Sequence, residues 1–303
     1  QDIPLQDLGV TDLAGPMLFN QEGQLLASGV LAAASASTAE AAPRQLLRCS
    51  LQPPQCEPFS EVLQPRSISA LAEHPLTGSL FLADAEAGQL LQLSGQGDVL
   101  GRADTTFPEN PVIQIASGLL FVNSAKGPAI SVLRYDEGAL GQQLDEILLL
   151  PPPAIDAEQT RVWDFIRNGQ QWWVTMYNPD TRDAGLYRFD DQWNYQGQVE
   201  LARDYWPDEL GSWGNKVLVR NARHLPLQRF NSQGATEVRL DSDLLQALAN
   251  SRAQGRRLHN LAWRSALLLV GLLALGAFCL GYLLHVRSLV YRPHRERGAD
   301  PVD

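Results

Sequence analysis

Histidine and lysine are scarce in this chain. It carries five histidines, and among its 24 basic residues two are lysine, Lys126 and Lys216. His259, His285 and His294 fall in or beside a long apolar run, while His74 and His224 fall in predicted loops. A histidine metal cluster is therefore not expected. His-Glu-x-x-His, the Gly-x-Ser-x-Gly elbow and a phosphate-binding glycine loop are all missing. On these grounds no catalytic, cofactor-binding or metal-binding residue is assigned. An Asn-x-Ser/Thr sequon is also missing. With the preference for arginine, that is read as a sign of a GC-rich bacterial source.

Cysteine is scarce too. Cys49 and Cys56 bracket the short loop Cys-Ser-Leu-Gln-Pro-Pro-Gln-Cys, and Cys279 lies inside the apolar run. With no second cysteine pair or histidine nearby, a zinc site is not expected. A lone pair in a turn-rich loop suits a disulfide in an oxidising compartment, with two free thiols as the alternative. Gln1 in place of Met fits a chain that has lost a leader, although an expressed fragment would begin the same way.

Charge is divided unevenly. The formal net charge is −10, yet residues 251–303 hold eight arginines against Glu296, Asp300 and Asp303, so that residues 1–250 carry the acidic excess. A domain this acidic repels a phosphate backbone, which excludes nucleic acid as an expected partner.

Residues 266–284 contain no charged side chain. As a helix they would span about 28 Å, enough for a hydrocarbon core. Arg264 and Arg287 bracket the run, with Trp263 and Tyr282 near its ends. A single transmembrane helix is expected over 265–286. Four arginines on each side leave the positive-inside rule undecided. The cysteine pair and the size of the N-terminal part place residues 1–240 in the periplasm and the basic tail 287–303 in the cytoplasm. Gly271, Ala274, Ala277, Phe278 and Gly281 share one side of this helix, and a small-residue face lets another helix approach closely.

Residues 1–240 repeat themselves. One element is a short apolar strand with a polar or basic third position. It occurs as Leu46–Cys49, Leu90–Leu93, Val132–Tyr135, Leu186–Phe189 and Leu227–Phe230. Before each copy stands a glycine turn and a second apolar strand, at Gly23–Ser28, Gly78–Asp84, Gly118–Asn123, Gly169–Thr175 and Gly214–Arg220. A glycine turn and a further short strand follow most copies. A period of about 40–55 residues with four short strands is that of a propeller blade. The fold class is all-β: a five- or six-bladed β-propeller ectodomain over 1–240, followed by a single transmembrane α-helix. Residues 1–22 could add a closing strand or part of a sixth blade, and two β-sandwiches are the structural rival. Residues 31–43 and Pro151–Pro153 interrupt the repeat as a surface excursion and a rigid junction. Asp241–Ala249 shows capping residues followed by leucines and reads as a helix opening the basic linker 241–264.

The copy from Glu73 to Leu93 resembles an NHL or SMP-30-type propeller repeat, through the turn before Gly78, the strand ending at Asp84 and the next strand with its glycine turn. The resemblance implies a shape. SMP-30-like enzymes hold a divalent metal with carboxylate and amide oxygens at the channel mouth, which would make Asp84, Asn123 and Asp164 candidates here. The structural alternative is that Asp84 and Asn123 satisfy turn backbone groups.

Six of the seven tryptophans fall within 163–213. Trp172, Trp173, Trp193, Trp206 and Trp213 are candidates for a partner surface, with inter-blade packing as the alternative. These features together lead to a non-enzymatic expectation. The chain would be a membrane-anchored propeller that binds other membrane or periplasmic subunits as an accessory or scaffold at the bacterial inner membrane. An SMP-30-like hydrolase or lactonase, or a sugar sensor, is the alternative.

Overall fold

The computed structural model describes residues 4–32, 44–60, 68–150, 159–202, 205–221 and 227–240. The chain divides into two units, 1–241 and 242–303. The expected helix at 241–249, the basic linker and tail, the transmembrane segment 265–286 and its face from Gly271 to Gly281 lie outside the described residues. So do most of the excursion at 31–43 and the Pro151–Pro153 junction.

The described strands form five four-stranded antiparallel meanders, each in chain order. Blade 1 is β1 (Val10–Phe19), β2 (Leu25–Leu31), β3 (Gln45–Leu51) and β4 (Pro54–Pro58). Blade 2 is β5 (Ala70–Glu73), β6 (Leu80–Asp84), β7 (Gln89–Leu93) and β8 (Val99–Asp104). Blade 3 is β9 (Ile113–Ala116), β10 (Leu119–Asn123), β11 (Ala129–Leu133) and β12 (Gln143–Leu148). Blade 4 is β13 (Arg161–Asn168), β14 (Gln171–Tyr177), β15 (Ala184–Asp190) and β16 (Tyr195–Gln198). Blade 5 is β17 (Pro207–Trp213), β18 (Lys216–Asn221), β19 (Leu227–Phe230) and β20 (Thr236–Leu240). This is a β-propeller, and the two-sandwich alternative does not apply. Within residues 1–22, expected to add a closing strand or part of a sixth blade, Val10–Phe19 form the inner strand of blade 1.

Both repeated sequence elements have a fixed place. The glycine-led strands are the second strand of every blade, and the strands with the polar third position contribute to the third. In blades 2, 3 and 4 these two lie between neighbours within the sheet and between blades on both faces, so β6 is buried at every position. The outer strand β8 alternates half-buried with exposed, as a strand with one wet face must.

Apolar layers join consecutive blades. Leu26, Leu46 and Phe59 of blade 1 meet Leu80, Leu82 and Leu93 of blade 2. Phe81 and Leu90 meet Leu120 and Leu133 across blades 2 and 3. Phe121 and Ile130 meet Phe165, Trp172 and Met176 across blades 3 and 4. Trp173 and Leu186 meet Val217, Val219 and Phe230 across blades 4 and 5. Each large side chain so buried contributes about 1.5–3 kcal/mol, and these layers hold the blades in sequence.

One tight turn recurs four times, over Asn20–Gly23, Ser94–Gly97, Asp190–Trp193 and Asn231–Gly234. In each, the fourth residue donates its N–H to the first carbonyl at 2.9–3.0 Å. The first side chain then accepts a backbone N–H further on: Asn20 from Gln24, Ser94 from Asp98, Asp190 from Asn194 and Asn231 from Ala235. The fourth residue has φ of +74°, +96°, +63° and +84° respectively. Glycine serves three times; the exception is Trp193. At Gly97 a Cβ would also overlap the Phe59 carbonyl oxygen of blade 1.

Candidate functional site

The inner strands surround a cavity of about 590 Å³ at one end of the propeller axis, lined by parts of β1, β5, β9, β13 and β17. Two of these strands carry a bulge at the same place. In β13 the register passes from Val162 to Asp164 without a partner for Trp163, and in β17 from Pro207 to Glu209 without one for Asp208. A bulge re-aims the extra residue's side chain, and both Trp163 and Asp208 line the cavity.

Asp164 follows the first bulge and is buried. Its Oδ1 accepts the Phe165 N–H at 2.7 Å and its Oδ2 accepts the Leu210 N–H at 2.6 Å, which ties blade 4 to blade 5. Burial pushes its carboxyl up to about 7, Glu209 and Asp208 add to the rise, and the two backbone donors oppose it. The nearby Arg220 guanidinium pairs with Asp208 at 2.9 Å and with Glu209 at 2.5 Å. The hydrogen bond to Asp208 is the main reason that Arg220 holds its proton more tightly than a free arginine. Its charge is therefore largely matched by these two carboxylates, which limits what it can lend to Asp164.

A second cavity of about 560 Å³ adjoins the first and shares Glu109, Asn110 and Trp163 with it. Its aromatic wall is Trp163 edge-on to Tyr177, with ring centroids 5.0 Å apart.

The residues singled out as oxygen donors are spread over three blades. Asp84 accepts the Ala87 N–H at 2.9 Å. Asn123 accepts the Val112 N–H at 2.8 Å and donates to the Asn110 and Val162 carbonyls at 2.9 and 3.2 Å. Its buried amide therefore stitches blade 3 to blade 4. Among the described residues, no three His, Cys, Asp or Glu side chains converge to hold a metal ion.

The tryptophans do not form one surface. Trp172 and Trp173, adjacent on β14, face opposite ways into two inter-blade layers and are 2% and 0% exposed. Trp193 stacks on Trp172, with centroids 4.4 Å apart and planes at 18°. Trp206 is half-buried, and its N–H is accepted by the Asn221 side chain. Trp213 is 56% exposed, with the Arg229 guanidinium 5.7 Å from its ring. Cys49 and Cys56 stand directly opposite each other on β3 and β4 and are disulfide-bonded.

Trp163, Asp208 and Arg220 were not singled out as a group from sequence. Their signal is the pair of matching strand starts Val162-Trp-Asp-Phe165 and Pro207-Asp-Glu-Leu210, in which the residue after the opening apolar one is the bulged one.

No protein-family model and no curated protein matches the chain. Solved structures do. A chain of a nidogen/laminin complex superimposes with a TM-score of 0.53 at 11% identity, over 78% of this chain and 82% of that one. A virginiamycin B lyase from Staphylococcus aureus gives 0.48 at 11% identity, over 80% and 72%. The periplasmic gluconolactonase of Pseudomonas aeruginosa gives 0.46 at 14% identity, over 74% and 68%. The first of these supports the fold, and at such identities nothing beyond the fold follows.

Proposed function

We propose that this chain is a membrane-tethered propeller that binds another protein, as an accessory or scaffold subunit of an envelope membrane complex. One observation carries the reading. Asp164 at the channel mouth and Asn123 in the adjoining cavity are spent on the protein's own backbone, each bridging two blades. Groups committed in this way build a rigid platform, and freeing them for a metal or substrate would leave buried amides unpaired. The apolar run 266–284 is the tether, its small-residue face from Gly271 to Gly281 is the helix's contact side, and the disulfide fits a periplasmic location.

A second reading has a specific observation behind it. Asp164 is a buried carboxyl with a strongly raised pKa beside a cavity, a combination that recurs at catalytic sites. With the NHL/SMP-30-like repeat, it favours an SMP-30-like metal-dependent hydrolase. Metal content and lactone hydrolysis of the purified full-length protein separate the two. The platform reading expects no stoichiometric Ca²⁺, Mn²⁺ or Zn²⁺ and no turnover. Bound metal together with turnover that Asp164→Asn abolishes would favour the hydrolase.

A further inference from the structure

Four apolar layers join the five blades in series. Among the described residues no apolar layer or ring contact joins blade 5 back to blade 1. The two faces bordering that seam can be read from the strand register. Leu18 and Leu26 point to blade 2, so Met17 and Phe19 of β1 point away from it, Phe19 in line with Leu25 and Cys49. Val217 and Phe230 point to blade 4, so Leu218 and Arg229 point away from it, with Trp213 and Lys216 paired alongside.

On the blade 1 face Leu47 and Cys49 are covered by Leu8 and Val10, while Met17 and Phe19 stay open. Met17 is 56% exposed, Phe19 61% and Trp213 56%, so both faces bordering the seam carry an uncovered large apolar side chain, and Met17 lines the channel cavity as well. Lys216 and Arg229 share a single carboxylate, Glu237, so two cations beside Trp213 are met by one anion. Exposed large apolar side chains, with an arginine against an aromatic ring, are the composition of a protein-binding surface.

We propose that the seam between blades 5 and 1 is where a partner protein docks. The partner would insert an amphipathic segment with apolar side chains against Met17, Phe19 and Trp213 and a carboxylate against Lys216 and Arg229. The proposal rests on the platform reading above and gives it a surface.

The test is photo-crosslinking from single benzophenone-bearing positions in the full-length protein in its own membranes. Probes stand at 17, 19 and 213 in the seam, at 109 at the channel mouth, and at 144 on the outer edge of blade 3. Cross-linked peptides are identified by mass spectrometry. The expected result is one partner polypeptide captured from both walls, by 19 and by 213, and not from 144. The captured peptide carries apolar and acidic residues. Trp213→Ser and Arg229→Gln, read from position 19, each lower that yield at least five-fold while the melting temperature stays unchanged. Capture from 109 but not from the seam overturns the seam and leaves the platform standing. Capture from no position overturns both. Seam probes that react with the chain's own peptides, or with a second copy of it, also overturn the proposal.

Discussion

Trp193 is a tryptophan where three equivalent turns use glycine, and the cost of that choice can be measured. Its φ of +63° lies in the left-handed region, which costs a side-chain-bearing residue about 1–2 kcal/mol. In return its ring stacks on Trp172 at 4.4 Å and approaches Phe121 and Phe189 at 5.9 and 6.3 Å. Half-burying a ring this large, with an aromatic stack, contributes about 2–3 kcal/mol. Trp193→Ala loses the stack and keeps the backbone cost. Trp193→Gly loses the stack and the backbone cost, but loosens the unfolded chain by about 0.5–1 kcal/mol. Both variants are therefore less stable than the parent, and glycine is the better of the two by about 0.5–1 kcal/mol. Gly23→Ala calibrates the argument. A Cβ there meets nothing within 4 Å at a φ of +74°, so its cost is the backbone term alone, net of the unfolded-state gain. Urea unfolding of the solubilised chain, followed by far-ultraviolet circular dichroism, gives all three values. If alanine at 193 equals or exceeds glycine while Gly23→Ala is destabilising, the left-handed turn at 190–193 is not what holds Trp193.

Gly97→Ala should cost more than Gly23→Ala, by at least about 1 kcal/mol in the same urea titration, because the Phe59 carbonyl must also move. Removing the Cys49–Cys56 bond by Cys56→Ser should lower stability by about 2–3 kcal/mol, the chain-entropy cost of so short a loop. Dithiothreitol should do the same to the parent and nothing further to the variant. Asp164 carries a folded pKa raised to about 7, above its unfolded value, so the folded state binds that proton more tightly. Its contribution is fully present below pH about 4 and is lost as pH rises through about 7, on the order of a few kcal/mol. Comparing unfolding of the parent and Asp164→Asn between pH 4 and 8 checks this: the difference between them should change with pH, and a constant difference would refute it.

How legible this molecule was in its sequence depends on what each feature rests on. The glycine turns and the polar third position recur because every blade needs the same two central strands, so the repeat marked the fold and the second and third strands together. The first strands were harder to place. β9 has four residues, and β13 and β17 hide their alternation behind a bulge. The stretch 1–22 was ambiguous for the same reason, because β1 has register shifts on either side of Leu13 and Ala14. Trp172 and Trp173 had to face opposite sides of their strand by period alone, but their burial depended on blades packing against both sides. The seam was invisible in the sequence. Trp213 is far along the chain from Met17 and Phe19, and what relates them is the missing apolar layer among the described residues, a property of the assembled sheets.

The central claim is that this propeller is a platform for another protein. The most direct measurement is the mass of the full-length protein after extraction from its own membranes in a gentle detergent, by native mass spectrometry. The account predicts a defined complex with a different polypeptide in fixed stoichiometry, which falls apart when Met17, Phe19 and Trp213 are replaced by serine. A protein that leaves the membrane alone, at the mass of one chain, would contradict it.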